Sequence, residues 1–333
     1  MTRYDVDAGE AVDGGSTDCD GPRALLLEPR HVPLGGVRAM DVSRSLPQRD
    51  LPLVGAWCFL DRFGPQEAMM RVDPHPHIGL QTVTWPLVGE VRHRDAVGSD
   101  VRITRGQLNI MTAGDGISHS EYSVGDEPGP IDALQLWIAL PEGARRQGPH
   151  FEQHRELPSA AVAASEGADP DITVVVGSFA GVDSPAAVYS PIVGAEIRLA
   201  PGSRVRLPLQ RDWEHAIVHV EGDLRVHDAA PGGAASLSLD RLDLLYLGVH
   251  RDGIEVSTEG GAMVFLLGGE PFGEDIVMWW NFVGRSHDEI AEARAHWEAR
   301  DARFGSVVGH EPDDRIPAPP LPNVRLTARR RRI

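Results

Sequence analysis

Between residues 51 and 140 the chain breaks into short apolar runs that stop at glycine or proline. Asp100-Val101-Arg102-Ile103-Thr104 alternates polar and apolar positions, the period of a strand with one buried face. Gln81 to Val88 is rich in β-branched and aromatic residues, and Ala133 to Leu140 is apolar almost throughout before Pro141. Leu51 to Phe63 is apolar on both faces and meets Gly64-Pro65, which predicts a buried strand and then a turn. A second set of strand signals follows at residues 171–177, 195–200, 203–209, 214–226 and 262–269. Only after Gly284 does the period become helical: Ser286 and Glu289 form a capping box, and Ile290, Ala293 and Trp297 fall on one stripe. Many short strands and one late helix predict an all-β sandwich or barrel. Leu87-Val88-Gly89-Glu90 and Val220-Glu221-Gly222-Asp223 are similar phrases, which suggests an internal duplication.

At 333 residues the chain is long enough for two cores of ordinary size. The expected division is a disordered acidic tail over 1–22, a first domain over 23–155, a second over 170–284, a helix over 285–305, and an extended Pro-rich and Arg-rich tail over 306–333. Residues 141–170 read as the loop between the domains. The formal charge is 32 minus 49, or −17, with no lysine at all, which argues against broad contact with nucleic-acid phosphates. The arginines at 329–332 could grip an acidic partner, dock on the protein's own acidic surface or stay solvated. Two cysteines, Cys19 and Cys58, give no disulfide framework. The N-terminus lacks the pattern of a secretion signal, and no apolar run approaches the roughly 18 residues of a membrane helix. The expectation is a soluble cytoplasmic protein that does not bind membranes.

The candidate chemistry lies in two segments. In Pro74-His75-Pro76-His77 an extended backbone points both imidazoles the same way, and Pro74 and Pro76 hold the backbone near that conformation. In Ser118-His119-Ser120-Glu121 the same spacing aligns an imidazole with a carboxylate. Two neighbouring imidazoles repel when protonated and waste burial when neutral, whereas a shared cation satisfies both. His75, His77, His119 and Glu121 are thus the candidate ligands of one divalent metal. Three nitrogens and one oxygen leave iron, nickel, copper, manganese and zinc open. The other histidines, among them His93, His215 and His310, read as packed or hydrogen-bonded residues.

Residues 23 to 322 resemble the pirins, two-domain members of the cupin superfamily. The resemblance rests on Pro74 to Thr84, on Met111 to Glu121, and on the phrases Leu134-Gln135-Leu136-Trp137 and Leu267-Gly268-Gly269-Glu270-Pro271. It implies two tandem jelly-roll barrels and one metal, usually Fe(II), in the first, held by His75, His77, His119 and Glu121. The second barrel would carry none. Ile78 and Gln81 stand where many pirins have Arg and Glu, and a neutral Gln81 leaves Glu121 as the carboxylate ligand. Some pirins resemble quercetin 2,3-dioxygenases, which implies a small aromatic flavonol and dioxygen as partners and Glu121 as general base. Others look like iron-dependent redox sensors that bind a transcription factor or a metabolic enzyme, and this is the alternative.

Overall fold

The strand Leu80–Val88 is buried on both faces for nearly its whole length because it lies between two layers. In the computed structural model, which describes residues 20–34, 40–229 and 236–328, this strand sits within a seven-stranded antiparallel sheet. The strands are ordered His150–His154, Leu108–Thr112, Leu80–Val88, Gly129–Ala139, Trp57–Ala68, Met40–Leu46 and Arg30–Leu34. One face closes against a four-stranded sheet of Arg71–His77, Ile117–Ser123, Glu90–Asp95 and Asp100–Thr104. The other face packs on the seven-stranded sheet of the second domain.

That second sheet contains Leu244–Gly248, Glu214–Gly222, Ala262–Gly269, Ile192–Leu199 and Asp171–Phe179, and a five-stranded sheet covers its far side. The molecule is two antiparallel barrels back to back, as the duplicated phrases suggested. Gly89 and Gly222 occupy equivalent turns with φ of +87° and +89°. A Cβ on either would lie within 2.4 Å of a carbonyl oxygen of the neighbouring strand, so only glycine fits.

The seam between the barrels is apolar, with side chains such as Val83, Leu136, Val218 and Phe265 interleaved. Its few polar atoms are paired across it. Trp57 Nε1 donates to the Val193 carbonyl at 3.0 Å, Trp85 Nε1 to Glu196 at 2.7 Å, and the Gly55 amide to Glu214 at 2.6 Å. Arg62, 2% exposed, holds Asp132 with two hydrogen bonds and reaches the Val220 carbonyl of the second barrel at 2.7 Å. Breaking one partner of such a set strands a buried charge, so the two barrels are fixed as a pair.

The two interiors differ. The second is filled with aliphatic side chains, among them Ile197, Val205, Val226, Ile254 and Val256. The first buries His75, His77, His93, Asp95, His119 and Glu121. Among the described residues, the groups of three His or acid side chains close enough to share an ion are in the first barrel.

Several boundaries differ from the sequence expectation. The strand Pro22–Leu27 pairs with Leu244–Gly248, so this piece of the expected first domain completes the sheet of the second. Gly64-Pro65 does not turn; the strand runs on to Ala68, with Gly64 packed against the Ile131 carbonyl where the register with Gly129–Ala139 shifts. Residues 141–170 contain the strand His150–His154, which extends the first sheet. The helix is His287–Glu298, capped by Ser286 and buried through Ile290, Ala293 and Trp297, and a 3-10 turn at Ala302–Phe304 follows it. Residues 306–328 do not hang free. Trp297 Nε1 donates to the Ile316 carbonyl, Arg294 to that of Pro319, and the Ile316 amide to that of Pro74. The expected acidic tail, up to residue 19, and the arginines at 329–332 lie outside the described residues. No helix among the described residues is long and apolar enough to cross a membrane.

His215, 2% exposed in the strand Glu214–Gly222, is pushed down to about 4 by burial. A histidine whose folded pKa lies below its unfolded value of about 6.5 leaves stability intact above that value and removes it as pH falls toward 4. Equilibrium unfolding of wild type should therefore lose about 2 kcal/mol between pH 7 and pH 5 relative to His215→Leu. A parallel pH dependence of the two proteins would refute this assignment.

Candidate metal centre

The four-stranded sheet of the first barrel positions the candidate residues by pleat. In the register of Ile117–Ser123, His119 lies opposite His75 on one side and Asp95 on the other, and Glu121 lies opposite Val72 and His93. Between those rows Asp73 and Pro74 face the single residue Ser120, a bulge that keeps His75 and Glu121 on the inner face despite the odd offset. Prolines at 74 and 76 remove two amide donors from this strand.

His75, His77 and His119 converge, with one nitrogen of each within 4.8 Å of the others. Glu121 belongs to a second triplet, formed with His93 and His119 under the same limit. His119 is common to both. His93 is the residue that the sequence reading passed over as merely packed. It is indeed packed, stacked on Phe151 at 4.4 Å between ring centres, yet it also contributes to the cluster. A signal existed: His93-Arg94-Asp95 repeats the spacing of His119-Ser120-Glu121.

Hydrogen-bond partners determine which nitrogens carry protons. His75 Nδ1 lies 2.9 Å from the Asp73 carbonyl and His77 Nδ1 lies 3.1 Å from that of Asn281. A carbonyl can only accept, so both Nδ1 atoms are protonated, and the neutral form that burial favours in His77 leaves its Nε2 as an acceptor. His93 Nε2 donates to Asp95 Oδ2 at 3.0 Å, and His93 Nδ1 lies 3.4 Å from His119 Nδ1. Asp95 anchors this chain: burial disfavours its charge, but hydrogen bonds from His93 and Ser99 outweigh that and hold its carboxyl below the usual range.

The Nε2 atoms of His77 and His119 face each other at 3.1 Å in the buried interior. Burial first and the neighbouring imidazoles second hold both rings well below the ordinary histidine range, so both favour the neutral form that can give a lone pair to a metal. Two imidazoles bound to one ion at about 2.1 Å and at right angles bring their nitrogens to about 3 Å. Three convergent nitrogen donors with an adjacent carboxylate are thus a donor set that fits a divalent transition metal. Glu121 is pushed up by burial, opposed by His93 and by the Thr84 hydroxyl 3.0 Å from its Oε1.

Two further residues define the surroundings. Gln81 turns away from the cluster and donates to Thr112 Oγ1 and to the Ala187 carbonyl, so its side chain serves the seam between the barrels. Ile78 is buried and bridges to Phe282, which docks the hairpin Val277–Trp279 and Phe282–Gly284 of the second half on the strand that carries His77. That hairpin supplies the Asn281 carbonyl. The Trp137 ring meets His77 edge-on at 5.2 Å and stacks on Phe59 at 4.0 Å, an aromatic wall beside the imidazoles.

The comparisons agree with this architecture. The Pirin family profile matches residues 39–138, and that of the Pirin C-terminal cupin domain matches residues 194–305. A proposed quercetin 2,3-dioxygenase of Pseudomonas aeruginosa is 42% identical over 314 residues, covering 92% of this chain and 94% of that protein. The crystal structure of a quercetin 2,3-dioxygenase from Acinetobacter baumannii superposes with a TM-score of 0.82 at 36% identity, covering 92% of this chain and 98% of that one. An Escherichia coli pirin solved in complex with nickel(II) shares the fold at 18% identity, with a TM-score of 0.56 over 75% of this chain and all of that one.

Two substitutions test the geometry. His93→Gln removes the ring that stands 3.4 Å from His119 Nδ1 and links it to Asp95, and metal affinity should fall about 10- to 100-fold with the unfolding midpoint of the metal-free protein little changed. Gly79, with φ of +67°, has the Val283 carbonyl oxygen 2.0 Å from where a Cβ would be. Gly79→Ala should push the hairpin off the metal strand and weaken metal binding. Unchanged metal titrations in both variants would show that neither contact shapes the site.

Proposed function

The chain belongs to the pirin family, and we propose that it is a mononuclear metal-dependent dioxygenase acting on a flavonol such as quercetin. In this reading His75, His77, His119 and Glu121 hold one divalent ion, with Fe(II) the first expectation and nickel, copper, manganese and zinc the alternatives. The observation that carries the proposal is the convergence of buried His75, His77 and His119 with buried Glu121 beside them, a cluster that a cation would satisfy. The names of the Pseudomonas and Acinetobacter relatives support the choice of reaction.

When bound, the metal supplies Lewis-acid polarisation of the substrate hydroxyl and a site at which dioxygen can react. The protein groups then divide the remaining work. Burial raises the proton affinity of Glu121, which suits it to take the proton that the flavonol 3-hydroxyl must lose. The Thr84 hydroxyl has one proton to give and two acceptors in reach, Glu121 Oε1 at 3.0 Å and Gln135 Oε1 at 3.1 Å. It can hold the carboxylate while Glu121 is ionised and turn to Gln135 once the acid is protonated. The stacked pair Trp137 and Phe59 offers an apolar flank for a flat aromatic substrate and limits water beside the imidazoles.

The test is an assay of the protein loaded separately with iron, nickel, copper or manganese, mixed with quercetin under nitrogen and then under air. Flavonol absorbance should hold steady without oxygen and decay with it in at least one metal form. Glu121→Gln should keep the flavonol bound and slow the decay by about 100-fold or more, the scale of a lost general base. Absence of oxygen-dependent decay in every metal form would remove the enzymatic reading.

A further inference from the structure

The pleat that points the histidines inward points four arginines outward. Across the four-stranded sheet, Arg71 is paired with Tyr122, Tyr122 with Arg92, and Arg92 with Arg102, one row over four adjacent strands. Arg94 stands two residues from Arg92 on the same face, opposite Asp100. These side chains and the turn at residues 123–126 enclose a surface cavity of about 280 Å3.

Such a row opposes the ordinary rule of sheets, since like charges directly across from each other destabilise the pair. Compensation within the protein is incomplete. Arg92 makes a bidentate pair with Asp100 at 2.7 and 2.6 Å, whereas among the described residues Arg71, Arg94 and Arg102 form no ion pair. Arg71 and Arg94 lie over the Tyr122 ring at 5.4 and 5.2 Å. The nearby Asp73 is engaged by the Tyr122 hydroxyl at 2.5 Å, and Asp126, which also lines the cavity, is exposed to solvent and forms no ion pair among the described residues. Arg94 is the telling residue: it is 8% exposed, lines the cavity, and donates only to the Gly309 carbonyl at 3.3 Å. With one long hydrogen bond and no ion pair, this guanidinium keeps donors free for an anion in the cavity. The positive field is also felt by Asp100, whose carboxyl the Arg92 hydrogen bond holds below its usual range, with Arg94 and Arg102 adding to the effect.

We propose that this cavity binds a small multivalent oxyanion, either inorganic phosphate or the phosphate group of a small phosphomonoester. Three guanidinium groups without an ion pair among the described residues arrive from three different strands around one cavity, as the oxygens of a tetrahedral dianion require. The cavity is several times the roughly 30 Å3 volume of a water molecule, ample for a phosphate group and too small for a large ligand. The site lies on the outer face of the sheet whose inner face bears the metal cluster. It does not depend on the identity of the metal or on the reaction.

Isothermal titration of the full chain with sodium phosphate and with phenyl phosphate, at ionic strength matched by sodium chloride, tests the proposal. Saturable binding of phosphate is expected, weakened about tenfold or more by Arg102→Ala and by Arg71→Ala, both exposed positions, and unchanged by the remote Arg211→Ala. Tighter binding of phenyl phosphate than of phosphate would identify an ester as the ligand, and equal or weaker binding would identify the free ion. Heats no larger than those of chloride, or an equal loss in all three variants, would overturn the site.

Discussion

Burying several imidazoles together is the constraint on which the first barrel is built. Each ring is held by a fixed partner: the Asp73 carbonyl for His75, the Asn281 carbonyl for His77, and for His119 the ring of His93, which Asp95 holds in turn. A cluster arranged in this way is set by backbone oxygens and one buried acid as much as by the histidines themselves. It also explains why the second half of the chain matters to a site made from the first. Asn281 lies on the hairpin that Ile78 and Gly79 dock, so the second domain orients an imidazole it does not carry.

The second barrel contributes rigidity in return. Its interior is aliphatic and its outer sheet face is spent on the seam, where Trp57, Trp85, Glu214 and Arg62 leave few polar atoms unpaired. Gln81 belongs to this seam. Its amide donates to Thr112 on the adjacent strand of its own sheet and to the Ala187 carbonyl across the junction, so this side chain serves domain packing, and Glu121 is the carboxylate next to the imidazoles.

One strand of the four-stranded sheet serves two surfaces through alternation alone. Along Ile117–Ser123, His119 and Glu121 point into the barrel, while Ser120 and Tyr122 point out toward His310 and the arginine row. A shift of register by one residue would exchange them, so the packing of the apolar faces also fixes the placement of every charged group. The C-terminal segment reinforces that register from outside: Phe304 accepts from Ser118, and Ile316 bonds to Pro74.

Sequence alone determined what is local. Period-two alternation named the strands, the phrases around Gly89 and Gly222 disclosed the duplication, the Ser286 cap located the helix start, and two His-x-His or His-x-Glu pairs marked the chemistry, because each depends on neighbours within a few residues. Tertiary structure decided what depends on contacts between distant segments. It sent Pro22–Leu27 to the sheet of the second domain, carried the strand at Trp57 through Gly64-Pro65, and laid residues 306–328 against the helix and the metal strands. It also added His93 to the cluster, placed Glu121 on that side of His119, and gathered Arg71, Arg92, Arg94 and Arg102 around one cavity. Those placements follow from which strands are neighbours in space, and strand order is set by the packing of whole faces, which no short stretch of sequence contains.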